Sequence, residues 1–528
     1  MQTSAFEILG PIMVGPSSSH TAGALRIALV ARSLAPSPLE QVEFTLYNSF
    51  AHTYRGHGTD RALVAGMLGF MPDDVRVRES FEHARREGLD WGFIEGPDDA
   101  GLHPNTVTIS MRARTGRQVS VTGESLGGGR VRISSIDGVG VEITGDSPTL
   151  FVAHRDIPGV LAGLTGKLSE AGSNIATVRT FRRERGGQAY TIFELDAPIE
   201  KELADDLRGA SNVSAVSIVQ IPGAGHTAIG SDAAHDFLSG ADLLEACRRE
   251  GSSIGAVMRL RERELDPGTD VDAAMRRVLE AMRAETRDPI ERPVRSLGGL
   301  LGGQARAVSQ AGASLATPLM GETLTKAVSY AMATLERSAT MGVIVAAPTA
   351  GSAGIVPGAV LAVGEALGVD DGHITDALWC ACAVGAIIAR NASVSGAEGG
   401  CQAEVGSAAA MAAAAVVELL GGSPEVALSA ASTAIANLLG LVCDPVRGLV
   451  EHPCQDRNAL GVANAIVSAQ LALSGVLDPL PFDEVVAALK SVGEALPASL
   501  RETALGGLAA APSAQTACSH CIGCMPRP

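Results

Sequence analysis

The chain has 528 residues and a net charge of -17, and 46% of its residues are hydrophobic while only 3% are aromatic. Length and composition predict a globular protein of two to four domains, whose cores are built mainly from Ala, Val and Leu. The negative charge and the lack of any basic run argue against nucleic acid and an anionic membrane as partners, and they favour a small solute as the ligand.

The first residues and the apolar runs of the chain indicate where in the cell the protein is expected. The first residues carry neither a basic stretch nor an apolar one, so nothing directs export and a cytoplasmic location is expected. Two apolar runs, over 341–364 and 376–389, have the composition of membrane spans. Pro348, Pro357 and several glycines interrupt the first and the second is too short, so both are predicted to be buried helices. In this setting the nine cysteines are expected to be ligands, catalytic thiols or small core residues rather than disulfides.

Residues 1–140 are predicted to form an α/β domain, because strand-like alternations such as 42–47 and 106–111 are mixed with helical stretches such as 22–34. Three of its loops place a histidine beside Ser, Thr or Asn and a turn-forming residue, which favours a binding or catalytic site over isolated structural histidines. At 15–23 the loop runs straight into a helix, so its N–H groups and hydroxyls could hold a carboxylate or simply cap the helix. The candidate residues of the three loops are Ser17, Ser18, Ser19, His20, His57, Thr59, Asp60, His103 and Asn105.

The central segment, residues 148–221, shows the order strand, helix, strand, strand, helix, strand, with a glycine hairpin at 185–187. It closely resembles an ACT domain, the small regulatory module that usually binds an amino acid. The resemblance implies an amino-acid or cation ligand for this unit, with a role in packing or dimerisation alone as the alternative, and a homodimer is expected. Residues 222–239, rich in Gly, Ala and polar residues, are predicted to be a linker.

Residues 240–510 are predicted to be nearly all helical, since apolar residues recur at helical spacing in successive segments, the first of them over 243–263. Small Ala and Gly residues are expected to let these helices pack closely. The three parts together predict a multidomain α+β protein with an N-terminal α/β domain, a central βαββαβ ferredoxin-like ACT domain and a C-terminal all-α bundle.

Three cysteines, Cys401, Cys443 and Cys454, lie within the stretch 399–458 where the helical pattern breaks at Gly or Pro. Backbone turns there could aim several sulfurs at one point, which predicts a metal centre. Thiolates without an accompanying HxxxH or HExxH motif indicate an iron–sulfur cluster or zinc. Three protein ligands would leave one position open, and an iron with an open position is a Lewis acid of the kind that dehydratases require.

The tail, residues 511–528, carries three further cysteines, Cys518, Cys521 and Cys524, after a stretch of Pro, Ala and Ser that has no core pattern. Their spacing is compatible with a zinc knuckle, in which His520 would be a fourth ligand, or with a ferredoxin-like motif. The alternative is a tail that folds back to the main site.

Several motifs closely resemble those of the iron–sulfur-dependent L-serine dehydratases, whose α and β parts are separate chains or fused. The motifs are Pro16-Ser-Ser-Ser-His-Thr-Ala-Gly23, Gly56-His-Gly-Thr-Asp-Arg61, His103-Pro-Asn-Thr106, Ala346-Ala-Pro-Thr-Ala-Gly351, Gly399-Gly-Cys401 and the segment from Cys443-Asp-Pro to Pro453-Cys-Gln-Asp-Arg-Asn458. The resemblance covers both parts, with the β part first, the ACT domain between them and the α part last.

The resemblance implies a [4Fe–4S] cluster held by Cys401, Cys443 and Cys454, with one iron free to bind serine and a tail cysteine that caps this iron at rest. Cys524 is the expected cap and Cys521 the next choice, while the three tail cysteines and the Met-Pro-Arg-Pro end depart from the simplest pattern. The implied reaction is dehydration of L-serine, followed by hydrolysis of aminoacrylate to pyruvate and ammonia.

The same resemblance places His20, His57 and His103 near the substrate without dividing them into base, acid and orienter. The expected contacts to the substrate's carboxylate and amine are Ser17, Ser18, Ser19, Thr59, Asp60 and Asn105. Pyridoxal phosphate is another cofactor for deaminating serine, but no lysine has the surroundings of a Schiff-base site, so it is not expected. Two alternatives stay open: the same chemistry on threonine or cysteine, and a non-catalytic amino-acid sensor whose cysteines hold structural zinc.

Overall fold

The structure, a computed structural model, describes residues 3–127, 129–144, 148–197, 199–219, 234–314 and 319–516. Within these residues, three β-sheets and a large set of helices form a protein of mixed α and β structure. The predicted α+β class is therefore confirmed.

The N-terminal part is a six-stranded sheet with helices packed against it. Its elements are α1 (Ala5–Ile8), β1 (Ile12–Val14), α2 (Ala24–Leu34), β2 (Leu39–Leu46), α3 (Asn48–Thr53), α4 (Thr59–Leu68), α5 (Ser80–Glu87), β3 (Asp90–Glu95), β4 (Thr106–Ala113), β5 (Gln118–Gly127), β6 (Arg130–Ile136) and β7 (Val139–Ile143). The strand order is β3-β2-β4-β5-β6-β7, in which only β2 and β3 are parallel. Alternate strand residues such as Phe44, Ile109 and Val121 are buried in one core with Leu25 of α2 and Met67 of α4.

The central unit forms a second sheet. Its elements are β8 (Thr149–Arg155), α6 (Val160–Glu170), β9 (Ile175–Arg182), β10 (Gln188–Leu195), α7 (Lys201–Arg208) and β11 (Val213–Val219). The strands are antiparallel in the order β11-β8-β10-β9. One face packs with α6 and α7 around Leu150, Leu164 and Leu207. The opposite face places Phe151 and Ile192 in the core of the N-terminal part, so this unit is docked against the first sheet and its helices.

The rest of the described chain is a helical assembly around a central alanine-rich helix. Its elements are α8 (Gly240–Glu250), α9 (Ile254–Leu265), α10 (Val271–Glu291), α11 (Gln304–Ser314), α12 (Gly321–Ala339), β12 (Val343–Val345), α13 (Ile355–Leu367), α14 (Asp371–Asn391), α15 (Gly396–Gly399), α16 (Ser407–Leu419), α17 (Pro424–Ala436), α18 (Cys454–Leu473), α19 (Phe482–Ala495) and α20 (Pro512–Thr516). Helix α16 is buried along most of its length and contacts α13, α14, α17 and α18. Because its surface is mainly alanine, these neighbours approach it closely.

The prediction of one helix over 243–263 is wrong, because this stretch forms two helices, α8 and α9. Gly251 ends α8 in the left-handed region with a φ of 58°, and Ser253 caps α9 by accepting a hydrogen bond from the Ala256 N–H. Apolar residues keep their helical spacing across this break, so periodicity alone did not reveal it.

A two-stranded sheet joins the N-terminal and helical parts, since β1 pairs antiparallel with β12 and places Ile12 opposite Val345. The helical part thus contains one short strand, where the sequence predicted an all-α bundle. Strand β12 is also bonded to α10, because Oε2 of the buried Glu285 accepts a hydrogen bond from the Val345 N–H at 2.7 Å. In the loop after β12, the Ala350 N–H donates to Ser18 Oγ at 2.8 Å. The strand pairing therefore holds the first serine loop against the helical part.

Two helical stretches, Ala350–Leu367 and Asp371–Asn391, are long and apolar enough to cross a membrane by length and composition alone. In this structure 78% of the first apolar window and 72% of the second are buried inside the protein. This burial agrees with the prediction of core helices for the two apolar runs.

Gly354 allows α13 to begin directly against α12. A Cβ atom at this position would lie 2.2 Å from Ala331 O and 2.8 Å from Ala331 Cα, so the backbone of α12 would have to move. We expect Gly354→Ala to lower the melting temperature, with a loss of about 3 kcal/mol in the free energy of unfolding. Gly163→Ala in α6 is the control, because its Cβ would meet nothing within 4 Å and should be neutral or slightly stabilising. Thermal unfolding followed by circular dichroism measures both, and an unchanged melting temperature for Gly354→Ala would contradict the packing described.

Candidate active site

Three buried cysteines come together in loops of the helical part. Cys401 lies between α15 and a π-helical turn at Gln402–Gly406, Cys443 lies after α17, and Cys454 is the first residue of α18. Their exposed fractions are 3%, 3% and 8%. The Sγ atoms of Cys401 and Cys443 and a carboxylate oxygen of Glu404 all lie within 4.8 Å of one another. Cys454 is not part of this close group, but Cys401 is near enough to raise the pKa of its thiol, after burial as the larger cause.

Backbone geometry fixes the loops that carry these cysteines. Gly400, directly before Cys401, has a φ of 76°, a conformation that favours glycine. The Cys443 N–H donates to Leu500 O at 2.9 Å, and Cys443 O accepts from the Glu502 N–H at 2.9 Å. The chain that follows α19 therefore lies directly on the cysteine loop.

Two charged side chains lie against the sulfurs. Arg457 donates from Nη1 to Cys401 Sγ at 3.4 Å and from Nη2 to Asp444 Oδ1 at 2.7 Å. Glu404 accepts from Thr349 Oγ1 at 2.8 Å, and burial raises the pKa of this carboxyl to about 7. Arg457 thus places a positive charge beside the sulfur of Cys401.

Asn458 holds the loop that carries Thr349. Its Nδ2 donates to Gly351 O at 2.8 Å and to Cys454 O at 2.9 Å. A Cβ on Gly351 would lie only 3.0 Å from Glu404 Oε1, so a glycine at this position lets the loop approach the carboxylate closely. The motif around 346–351 is thus tied to the cysteine loop.

Two fully buried histidines, His20 and His57, belong to the N-terminal part. Their rings are stacked with centroids 4.4 Å apart. His20 lies in a π-helical turn, Ser18–Gly23, and Ser17 Oγ accepts from its N–H at 3.0 Å. Thr21 Oγ1 from the same turn donates to His57 O at 2.7 Å, which fixes the second loop against the first. Single π-helical turns often mark functional sites, because they aim side chains that a regular helix would not.

Hydrogen bonds assign the tautomer of each histidine. Nδ1 of His57 lies 3.3 Å from Thr53 O, and since a carbonyl only accepts, Nδ1 carries the proton and Nε2 is bare. Ser49 Oγ donates to Glu502 O at 3.2 Å, so it accepts from His20 Nε2–H at 3.0 Å, and His20 Nδ1 is the acceptor of the Ser19 O–H. Burial lowers the pKa of His57 to about 4 and that of His20 well below its ordinary value. Both rings are therefore neutral near pH 7.

A carboxylate that sequence reasoning missed, Glu502, lies between these two unprotonated nitrogens. Glu502 Oε1 is 3.7 Å from His20 Nδ1 and 3.7 Å from His57 Nε2, which is too long for a hydrogen bond. Burial raises the pKa of this carboxyl, and its φ of 58° is uncommon for a residue with a side chain. In the sequence, nothing in the local pattern distinguishes this glutamate from one on a surface loop.

The three predicted serines are buried and build the frame around His20. Ser17 Oγ accepts from the His20 N–H, and Ser19 Oγ lies 2.9 Å from His20 Nδ1. Ser18 Oγ instead accepts from the Ala350 N–H at 2.8 Å. Two of the serines therefore position the imidazole, while the third joins the loop to the helical part.

Several buried polar atoms of the N-terminal part have no hydrogen-bond partner in the described structure. They include His57 Nε2, Thr59 Oγ1, Asn105 Oδ1 and Ser125 Oγ. Asn105 and Ser125 are adjacent, since the Ser125 N–H donates to Asn105 O at 3.0 Å. A Cβ on Gly23 would lie 2.0 Å from Ser125 Oγ, so this hydroxyl lies against the turn that carries His20. Leaving such groups unpaired costs about 1–3 kcal/mol each, which a polar ligand would recover.

The remaining predicted residues lie at the edge of this group or outside it. His103 is partly buried, its Nδ1 accepts from the Asn105 N–H at 3.2 Å, and burial lowers its pKa. Among the described residues, no hydrogen bond or ion pair joins Asp60 to the histidine pair. Its carboxylate accepts from the Arg61 N–H at 2.8 Å at the start of α4, and burial raises its pKa to about 6. The tail cysteines lie outside the described residues; they are Cys518, Cys521 and Cys524.

A cleft of about 640 Å³ opens between the N-terminal and helical parts. Its lining includes Ser49, Pro104, Glu398, Gly399, Arg501 and Thr503. Ser49 both lines the cleft and accepts a hydrogen bond from His20, whereas the two histidines themselves lie outside the lining of the cleft.

The fold and the site define a class of protein. An α/β part supplies two neutral buried histidines, a helical part supplies three buried cysteines, and a four-stranded unit stands between the two parts in the chain. Convergent polar groups beside a cleft and a set of sulfur ligands suit a metal-assisted reaction on a small polar molecule.

Comparison with known proteins identifies the family. Residues 4–88 match the family "Serine dehydratase beta chain", residues 149–212 match the ACT domain, and residues 199–509 match "Serine dehydratase alpha chain". The chain is 31% identical to "L-serine dehydratase" of Streptomyces coelicolor over 523 residues, which are 96% of this chain and 99% of the relative. It is 31% identical to "L-serine dehydratase 2" of Escherichia coli over 96% of this chain and 98% of the relative.

Separate chains of the family match as well. The "Probable L-serine dehydratase, alpha chain" of Bacillus subtilis is 46% identical over 277 residues, which are 52% of this chain and 91% of the relative. The chain therefore belongs to the serine dehydratase family, and both the predicted family and the fused order of β part, ACT domain and α part are confirmed.

Proposed function

We propose that this protein dehydrates and deaminates L-serine to pyruvate and ammonia. The observation that carries the proposal is the meeting of three buried cysteines and two neutral buried histidines around Glu502 in one site. Relatives that match over nearly the whole chain are named L-serine dehydratase, which supports serine as the substrate.

The metal group of the proposal is a [4Fe–4S] cluster, for which Cys401, Cys443 and Cys454 would be the protein ligands, with Cys524, or else Cys521, as the cap from the tail. The donor set fits, because three soft sulfur ligands are buried together and Arg457 lies 3.4 Å from one of them. When bound, such a cluster supplies a Lewis-acid iron that helps hydroxide to leave.

The chain's own residues must hold the amino acid and remove its Cα proton. His57 Nε2 is bare, buried and without a hydrogen-bond partner among the described residues, so we assign it the role of base. The unpaired hydroxyls of Thr59 and Ser125 are the proposed donors to the substrate carboxylate. His103, whose Nδ1 accepts from the Asn105 N–H, presents Nε2–H and is the proposed donor at the edge of the cleft.

Anaerobically purified protein tests the proposal. We expect broad iron–sulfur absorption, about four irons and four sulfides per chain, and pyruvate formation from L-serine. Rates on L-threonine and L-cysteine measured beside L-serine decide the preferred substrate. Zinc in place of iron, without pyruvate formation, would contradict the proposal and support an amino-acid sensor instead.

The central unit adds a second part to the proposal. The ACT match supports an amino-acid ligand for this unit. Equilibrium dialysis with radiolabelled L-alanine, which has no β-hydroxyl to lose and is not consumed, would count more than one site per chain if the unit binds this amino acid. The homodimer and the cytoplasmic location stay predictions.

A further inference from the structure

The carboxylate of Glu502 is buried beside two neutral rings and has no basic side chain next to it. Among the described residues, no lysine or arginine forms an ion pair with it, and His20 and His57 are its near neighbours. Its side chain is 8% exposed. The Ala397 N–H donates a hydrogen bond to this carboxyl, but no cation of the described chain balances its charge, so the position calls for a cationic partner.

Neither histidine donates a hydrogen bond to this carboxylate. The hydrogen bonds to Thr53 and Ser49 place the ring protons on the far sides, so His57 Nε2 and His20 Nδ1 carry no proton. Ser19 Oγ donates to His20 Nδ1 at 2.9 Å, which leaves His57 Nε2 as the free acceptor beside Glu502. Both nitrogens are 3.7 Å from Glu502 Oε1, which is too far for a hydrogen bond from a protonated Glu502. A small cationic group with N–H donors fits the carboxylate beside this bare nitrogen.

The backbone holds Glu502 at this place. Its N–H donates to Cys443 O at 2.9 Å, and its carbonyl accepts from Ser49 Oγ at 3.2 Å. One bond thus ties it to the cysteine loop and the other to the N-terminal part. The side chain is fixed between the metal ligands and the proposed base.

We propose that Glu502 binds the α-ammonium group of the amino-acid substrate and so selects amino acids over acids that lack the amine. The inference rests on the proposed function for the identity of the substrate. With the ammonium group held at Glu502, the neighbouring Cα proton is placed beside His57 Nε2, which is where the proposed base needs it. Glu502 is thus a specificity-determining residue that touches substrate.

L-Alanine and propionate form the test pair, because they differ only in the ammonium group and neither has a β-hydroxyl to lose. Isothermal titration calorimetry on the anaerobic full-length protein gives their dissociation constants without turnover. We expect the wild type to bind L-alanine at least about ten-fold more tightly than propionate, and Glu502→Gln to lose about ten-fold or more for L-alanine and less than about two-fold for propionate.

Matched variants separate the effect of losing the Glu502 charge from the effect of disturbing the structure. Glu502→Asp keeps the carboxylate and should keep most of the preference for L-alanine, while Glu484→Gln removes a charge from the exposed side of α19 and should behave as wild type. Iron content and melting temperature, measured for every variant, show whether the site is intact.

Three results would overturn the inference: no preference for L-alanine in the wild type, equal losses for both ligands in Glu502→Gln, or a divalent metal outside the cluster that disappears in Glu502→Gln. The last is a real competitor, because His20, His57 and Glu502 offer ligand atoms within 4.8 Å of one another. Pyruvate formation from L-serine is scored separately. A wild type that makes pyruvate while Glu502→Gln shows equal losses refutes only this inference, whereas selective loss of L-alanine binding without any pyruvate formation refutes only the proposed function.

Discussion

Replacing Cys443 by alanine is expected to leave the purified protein with little iron and to lower pyruvate formation from L-serine by about 10³-fold or more. The sulfur of Cys443 lies within 4.8 Å of Cys401 Sγ, and its backbone bonds both Leu500 and Glu502. Loss of the sulfur therefore removes a proposed cluster ligand from the loop that lies against the proposed substrate site. Iron and sulfide analysis, visible absorption and an anaerobic pyruvate assay measure the effect.

Cys382→Ala is the matched control for this substitution. Cys382 is also fully buried, but it lies on α14, where its Sγ donates to Ala5 O at 3.6 Å. We expect normal iron content, nearly normal turnover and a loss of about 1 kcal/mol in the free energy of unfolding. Full turnover and normal iron in Cys443→Ala would refute the assignment of Cys443 as a ligand.

Local patterns predicted much of the fold. The alternation at 106–111 corresponds to strand β4, because one face of that strand is buried and the pattern has a period of two. The helical spacing over 22–34 predicted a helix from residue 22, but α2 begins only at Ala24. The residues before Ala24 form the π-helical turn that carries His20. That turn depends on contacts with the second loop and with the helical part, which no local pattern contains.

The candidate site shows the same division between local and distant signals. Cys401, Cys443 and Cys454 could be singled out because glycine and proline break the helical pattern beside each of them. Glu502 and Arg457 could not, since each acquires its role from a contact with a distant segment: Glu502 with the histidine loops, and Arg457 with Cys401 Sγ. Charged residues are common in surface segments, so only the folded arrangement distinguishes these two from ordinary surface residues.

Replacing His57 by glutamine is expected to lower kcat for L-serine by about 10³-fold with a much smaller change in KM, because it removes the proposed base. Gln is close in size and polar, so the ring stack with His20 is lost while the cysteine loops are untouched. Iron content should match the wild type, and steady-state pyruvate assays with cluster-loaded protein measure both constants. His373→Gln is the control, since His373 is exposed at the start of α14 and should leave both constants unchanged.

The pH profile supplies a second measurement for the same residue. Burial lowers the pKa of His57 to about 4, so its bare Nε2 is present above that pH and is lost only as the pH falls through about 4. Between pH 6 and 8, kcat should therefore show no inflection that depends on His57, although an unperturbed histidine would titrate in this range. An inflection near pH 6.5 that vanishes in His57→Gln would contradict the neutral, buried state of this ring. Wild-type kcat in His57→Gln would in turn transfer the role of base to another group of the site.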